Sequence, residues 1–88
     1  MQILLEREKT HGDYQTQSAT SQTLKNVMHV APNWSKLSAP QRESLEMIAV
    51  KVARILHGNA NEVDHARDIA GYAMLMVNAL ESQNPPHK

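Results

Sequence analysis

Apolar residues recur every three or four positions through the second half of the chain, which is the spacing of one face of an α-helix. Two such segments, at about 39–57 and 62–83, are separated by a short turn that contains Gly58. Strand-like alternation of apolar and polar residues is missing. The pattern therefore predicts an all-α fold, a small helical bundle built on a long antiparallel helix hairpin.

The first half of the chain predicts one or two N-terminal helices. Residues 2–9 form a short helical candidate, which ends at the sequence HGDY over residues 11–14. Residues 14–30 form a second candidate, rich in Gln, Ser and Thr, with a weak apolar face. Asp13 is its expected N-cap. Trp34 lies in the next connector, where we expect its indole to pack on the core.

Local signals mark the ends of the hairpin helices. Ser38 and Gln41 have the spacing of a capping box, with Pro40 in the first turn, where its missing amide costs nothing. Gly58 is expected to end the first helix in the left-handed conformation. Asn61 is expected to cap the start of the last helix.

The length of 88 residues fits one domain. Hydrophobic residues make up 41% of the chain and charged residues 20%, a balance that is typical of folded rather than disordered chains. Pro85 and Pro86 end the last helix. We therefore expect a single helical domain over residues 1–83 and a frayed tail over residues 84–88.

Both hairpin helices carry apolar residues on more than one side. The stripes expected to form the core are Leu45, Ile48, Ala49, Val52, Ile55 and Leu56 on the first helix, and Val63, Ala66, Ile69, Ala70, Ala73, Met76, Val77 and Leu80 on the second. The opposite strip of the first helix mixes charged residues with Met47 and Val50, so we expect another element to cover it.

On the far side of the last helix, Tyr72 and Leu75 lie beside Gly71. A helix that is apolar nearly all round needs cover on both sides, and in so short a chain a second copy must supply it. We expect a homo-oligomer whose interface includes Tyr72 and Leu75. Gly71 either permits close approach of another helix or is merely tolerated.

Charge and targeting signals narrow the function classes. Nine basic side chains balance nine acidic ones without a Lys or Arg run, which disfavours a nucleic-acid partner. The N-terminal apolar stretch, residues 3–5, is too short for a signal-peptide core, and no segment is long enough to cross a membrane. We expect a cytoplasmic protein. The absence of cysteine excludes disulfides and thiolate metal sites.

Four carboxylates form a candidate metal site. Glu43 and Glu46 are spaced i, i+3 on the first hairpin helix, and Asp64 and Asp68 are spaced i, i+4 on the second, so each pair projects from one side of its helix. A cage of four carboxylates suits Mg²⁺, which prefers oxygen ligands and bridges phosphates.

Basic residues on the same helices form a candidate site for a phosphorylated ligand. Arg54 is suited to bind phosphate bidentately, and Tyr14 to stack on a base. The candidate ligand-binding residues are Lys51, Arg54, Asp64, Asp68, Tyr72 and Tyr14. The alternative is that these charges only form salt bridges across the hairpin.

Two histidines, His57 and His65, flank the turn of the hairpin. His65 is spaced i, i+3 from Asp68, so that two imidazoles and a carboxylate would form a minimal transition-metal site. Alternatively, His57 only stabilises the C-terminus of its helix electrostatically.

Several sequence strings resemble a known group of proteins. HGDY at 11–14, Trp34, LEMIAVKVARILHGN at 45–59 and DHARDIAGYAML at 64–75 resemble a family of short phage and prophage proteins without an assigned function, over almost the whole chain. More distantly, the helix pair looks like the MazG-like all-α NTP pyrophosphohydrolases. Their ExxE pair is matched by residues 43 and 46, whereas their ExxD pair has a counterpart only at residues 64 and 68, at a different spacing.

Two functions follow from the residues and these resemblances. The first is a small helical oligomer that binds a nucleotide-like phosphorylated ligand, either sequestering it or hydrolysing it with a metal ion. The second is a non-enzymatic protein-interaction module that acts on a host or defence protein. The resemblance to phage proteins fits both, and it implies the cytoplasm of a host cell as the location.

Overall fold

Three α-helices and one short 3₁₀ helix make up residues 13–84, the part of the chain that the computed structural model describes. The helices are α1 (Tyr14–His29), α2 (Ala39–His57) and α3 (Val63–Gln83), and the 3₁₀ helix (Trp34–Lys36) lies between α1 and α2. No strand occurs among the described residues, so the predicted all-α fold is confirmed. The helix predicted over residues 2–9 lies outside the described residues.

The N-terminal caps of α1 and α2 are those that the sequence predicts. The side chain of Asp13 accepts a hydrogen bond from the amide of Thr16 at 3.2 Å. At the start of α2, the Ser38 hydroxyl accepts from the amide of Gln41, whose side chain in turn accepts from the Ser38 amide at 2.9 Å. Both caps satisfy amides that have no partner inside their helix.

The turn between α2 and α3 differs from the prediction in two details. Gly58 ends α2, but its φ of −117° is not left-handed, and its amide continues the helical pattern by donating to Arg54. Glu62, not Asn61, caps α3. The physical reason is that the side chain of Asn59 accepts the amide of Asn61 at 3.0 Å, which keeps Asn61 in the turn and delays the helix by one residue.

Helix α2 packs on both other helices and holds α1 through polar contacts. The hydroxyl of Thr20 lies 2.6 Å from Nε2 of His57, and Nε2 of His29 lies 2.7 Å from a carboxylate oxygen of Glu46. Because residue numbers rise along α1 as they fall along α2, the two helices are antiparallel. The half-buried Trp34 packs against His29, with ring centroids 4.8 Å apart and ring planes tilted by 42°.

The interior of the described residues is built from small and polar side chains. Ala49 and Ala53 are its buried apolar residues. The buried polar and charged residues are Gln17, Ser21, Ser44, Lys51 and His65. Of the mixed strip of α2, Glu46 contacts α1 and Lys51 contacts α3, whereas Glu43 is exposed.

The predicted core stripes are only partly correct. Along α2, Leu56 is exposed and the other large members of the stripe are half-buried. Along α3, Val63 and Val77 are exposed, whereas Tyr72 is half-buried on the side that faces α2. The reason is an ion pair between Lys51 and the same side of α3, which sets the rotation of that helix.

The rotation of α3 about its axis changes which residues of the predicted oligomer interface are exposed. Tyr72 lies on the side of α3 that faces α2 and is half-buried, and the homo-oligomer stays a prediction. Leu75, by contrast, is exposed. A Cβ placed on Gly71 would meet no atom within 4 Å, so no helix of the described part of the chain needs the glycine for close approach.

Replacing Ala53 with Leu is expected to destabilise the protein by about 1–3 kcal/mol, because Ala53 is fully buried where α2 meets α1, and added methyl groups overpack such a site. Chemical denaturation followed by circular dichroism measures the change. Ala19→Leu on the exposed side of α1 is the matched control, with an expected change within about 0.5 kcal/mol. Equal effects of both substitutions would contradict the assigned interior.

Gly71→Ala is expected to stabilise the protein by about 1 kcal/mol, since alanine is the better helix former and the new methyl group meets open space. For a domain of this size the melting temperature should rise by about 4–8 °C. A fall in the melting temperature would show that a partner helix packs directly on Gly71.

Candidate ligand-binding site

An ion pair crosses the hairpin near its middle. The Nζ atom of Lys51 on α2 lies 2.8 Å from an Oδ atom of Asp68 on α3. The lysine side chain is 11% exposed, whereas the aspartate side chain is 47% exposed. The ammonium is therefore carried by a stem packed between the helices, and the carboxylate that meets it is open to water on one side.

One helical turn nearer to the loop, the interface between α2 and α3 carries two further basic side chains, one on each helix. Arg54 follows Lys51 by three residues on α2, and His65 precedes Asp68 by three on α3. In an antiparallel hairpin these equal offsets put Arg54 and His65 at the same level. His65 is 1% exposed, and Arg54 is half-buried. We call these four residues the basic cluster.

The guanidinium of Arg54 has a hydrogen-bond donor that is not satisfied. Its Nε atom is buried, and no group in the described part of the chain accepts a hydrogen bond from it. A buried donor without an acceptor costs about 1–3 kcal/mol. An acceptor that is not among the described residues would recover this free energy.

The electrostatics of the basic cluster favour negative charge. The hydrogen bond from Lys51 is the largest cause that lowers the pKa of Asp68; desolvation opposes it, and the charges of Lys51, His65 and Arg54 lower the pKa further. Three basic side chains therefore surround one carboxylate. The arrangement suits a small anion, and arginine in particular matches the geometry of phosphate and carboxylate groups.

The structure brings some of the predicted ligand-binding residues together. Tyr72 lies one turn beyond Asp68 on the same face of α3 and is half-buried. Asp64 instead points away from α2: its side chain is 71% exposed, and it accepts from Arg67 at 3.4 Å.

The predicted contribution of Tyr14 does not match its position. Tyr14 begins α1 and is 73% exposed. Counted from the contact between Thr20 and His57, Tyr14 and Lys51 lie six residues away in opposite directions, which is roughly 18 Å along the helix axes. Tyr14 therefore lies away from the basic cluster.

The four predicted metal ligands do not form one cage. Glu46 binds His29 on α1, Asp68 binds Lys51, and Glu43 is exposed. Among residues 13–84, no group of three or more His, Asp or Glu residues is placed to hold a metal ion. The physical reason is that the acidic pair of α2 and the acidic pair of α3 contact different elements.

The two histidines that flank the turn are likewise separated by their contacts. His57 lies against Thr20 of α1, whereas His65 is buried between α2 and α3. His65 belongs to the basic cluster, although it was not among the predicted ligand-binding residues. The equal i, i+3 offsets from Lys51 to Arg54 and from His65 to Asp68 are the sequence signal that identifies it.

Fold and cluster together define a small all-α protein with basic side chains gathered between two antiparallel helices. A family model described as a domain of unknown function, DUF6378, matches residues 1–80, and the chain belongs to this family. Neither the curated proteins nor the solved structures contain a match. The resemblances to phage proteins and to MazG-like pyrophosphohydrolases thus stay predictions. None of the described helices is long and apolar enough to span a membrane.

Asp68→Asn is expected to lower the melting temperature at pH 7, because it removes the anion that pairs with the buried Lys51 ammonium. Since the folded-state pKa of Asp68 is lowered, its stabilisation is complete above the unfolded value of about 4 and is lost as pH falls through the folded value. The gap between wild type and variant should therefore close below about pH 4.

Melting curves of both proteins between neutral and acidic pH measure this gap. Asp64→Asn is the matched control, because Asp64 belongs to an exposed pair that contributes little. A gap between wild type and Asp68→Asn that stays constant with pH would contradict the stabilising role of the ion pair.

Proposed function

We propose that the protein binds a phosphorylated, nucleotide-like small molecule at the basic cluster. The observation that carries the proposal is the buried Nε of Arg54, which lacks an acceptor beside an excess of positive charge. A phosphate oxygen supplies the missing acceptor and the negative charge together. A neutral ligand would satisfy the donor but would leave the charge uncompensated.

Each member of the cluster has a distinct part in this proposal. Arg54 donates to the phosphate, and the buried His65 lies at the same level of the interface between the two helices. Asp68 keeps the Lys51 ammonium in place between the helices. Tyr72 lies roughly 10 Å along α3 from His65, where its ring is suited to contact the base of a nucleotide.

We place binding or sequestration ahead of metal-dependent pyrophosphohydrolysis. Hydrolysis of that kind needs carboxylates that hold a metal against the phosphates. The described residues offer a single carboxylate, Asp68, next to the cationic groups, and Lys51 already occupies it. The proposal therefore keeps the basic residues of the sequence prediction without its four-carboxylate Mg²⁺ cage.

A protein-interaction module is the second candidate, and the exposed apolar side chains of α3 favour it. Met74, Leu75 and Val77 are all exposed on this one helix. Exposed large apolar side chains on a small protein are candidates for an interaction surface. On this reading the chain acts on a host or defence protein without binding nucleotide. Phage origin, cytoplasmic location and the absence of a nucleic-acid partner remain predictions under both candidates.

The ligand proposal predicts that a nucleotide raises the melting temperature of the wild-type protein in a screen of nucleotides, cyclic nucleotides and NAD-derived compounds, with and without Mg²⁺. A ligand at 100 times its dissociation constant adds about 2.7 kcal/mol of stability. Arg54→Gln should abolish this shift, because glutamine carries no charge and cannot bind phosphate bidentately. A shift that requires Mg²⁺ would favour hydrolysis over sequestration.

Arg67→Gln is the matched control for this test. It removes an arginine from an exposed pair on α3, so it changes net charge equally without touching the basic cluster. The control should keep the full ligand response. Equal responses of wild type and Arg54→Gln would move the site elsewhere, and no response to any compound would favour the interaction module.

A further inference from the structure

A stripe of apolar residues runs along the outer side of α3 with the spacing of a coiled coil. Its members, which we call the α3 stripe, are Val63, Ala66, Ala70, Ala73, Val77 and Leu80. The intervals alternate strictly between three and four residues. Ala73, at the edge of the face that packs on α2, is half-buried, and the other five are exposed within this chain.

This spacing suits one particular kind of partner. Apolar residues at alternating intervals of three and four stay in register with a second long helix that crosses at a shallow angle. Alanine at the central positions lets the two backbones approach closely. The stripe extends along nearly the full length of α3, which is about 31 Å.

The side-chain sizes along the α3 stripe are nearly symmetric about its middle, with large residues at both ends and alanines at the centre. If a second α3 runs antiparallel about the middle of the stripe, Val63 meets Leu80 of the other copy, Ala66 meets Val77, and the small Ala70 and Ala73 meet at the centre. Every contact then occurs twice, as a two-fold symmetric interface requires.

Charges beside the stripe favour the same orientation. Arg67 and Glu81 border one edge of the α3 stripe, fourteen residues apart, near its two ends. In the antiparallel register, Arg67 and Glu81 of the other chain lie on the same edge of the interface, about 8 Å apart along the axis, whereas in a parallel pair they are about 21 Å apart. The chain has no formal net charge, so two copies do not repel each other overall.

We infer that two copies of this chain form an antiparallel homodimer through the α3 stripe. This interface differs from the predicted one, because it leaves Tyr72 against α2 and excludes Leu75. It does not depend on the ligand proposal, since Arg54 and Lys51 lie on the other side of α3, between the helices.

Sedimentation velocity over a concentration series tests the inference. The wild-type chain is expected to sediment as a dimer, and Ala70→Glu is expected to weaken dimerisation on the order of a hundredfold, because it puts two carboxylates near the two-fold axis. Ala70 is exposed in the single chain, so circular dichroism should show unchanged helix content.

Leu75→Glu is the matched control, because it adds the same charge to the same helix at an exposed position outside the stripe. It should leave the dimer intact. A monomeric wild type at every concentration, or a dimer that Leu75→Glu disrupts and Ala70→Glu does not, would overturn the inference.

The orientation has its own test, since the chain contains no cysteine. Val63→Cys and Leu80→Cys proteins are mixed and oxidised. An antiparallel pair should yield mainly the mixed disulfide between the two variants, which differ in mass. Predominant Val63→Cys homodimers would show a parallel interface and overturn the assigned geometry.

Discussion

The rotation of α3 about its own axis depends on the ion pair between Lys51 and Asp68. A lysine whose side chain is buried between two helices needs an anion within reach, because an unpaired buried charge is costly. Once Asp68 meets Lys51, His65 and Tyr72 must face α2 as well, since they are three and four residues away on the same side. The same constraint turns Val63 and its neighbours outward. One polar contact thereby decides which face of α3 is inside and which is open to a partner.

The ion pair fits between α2 and α3 because the buried apolar residues of the interior are small. Ala49 and Ala53 are the buried apolar residues of the described chain, and its other buried residues are polar or charged. Small side chains let helices approach closely, but they bury little apolar surface, so they contribute little of the stabilisation that larger side chains supply. A chain of this size with such an interior benefits from burying its exposed aliphatic residues against another molecule. The outward turn of Val63 and Val77 is consistent with that need.

Helix positions and the N-terminal caps of α1 and α2 could be predicted from the sequence because they depend on neighbouring residues. The pairing of Ser38 with Gln41 and the cap at Asp13 are local chemistry, and both occur as predicted. The side of α3 that packs on α2 could not be predicted. Hydrophobicity alone assigns Val63 to the interior and Asp68 to the surface. Lys51, Arg54 and Asp68 were predicted as ligand-binding residues, whereas His65 was not, and three of the four predicted metal ligands contact different partners. Tyr14 was predicted at the ligand-binding site but lies away from it. The residues near Tyr14 in sequence do not indicate which part of α2 lies beside the start of α1.

The basic cluster and the α3 stripe require opposite environments for the side chains of one helix, α3. The basic cluster requires charged groups partly withdrawn from water, where the field of Arg54 and Lys51 is less screened than at an exposed position. The α3 stripe requires the reverse, aliphatic groups that gain by leaving water. Because Asp68 and Val77 project from different sides of α3, a substitution on the stripe leaves every contact of the cluster in place. Ligand binding and self-association are therefore separable properties of the same helix, and a variant that loses one while keeping the other assigns each to its own face.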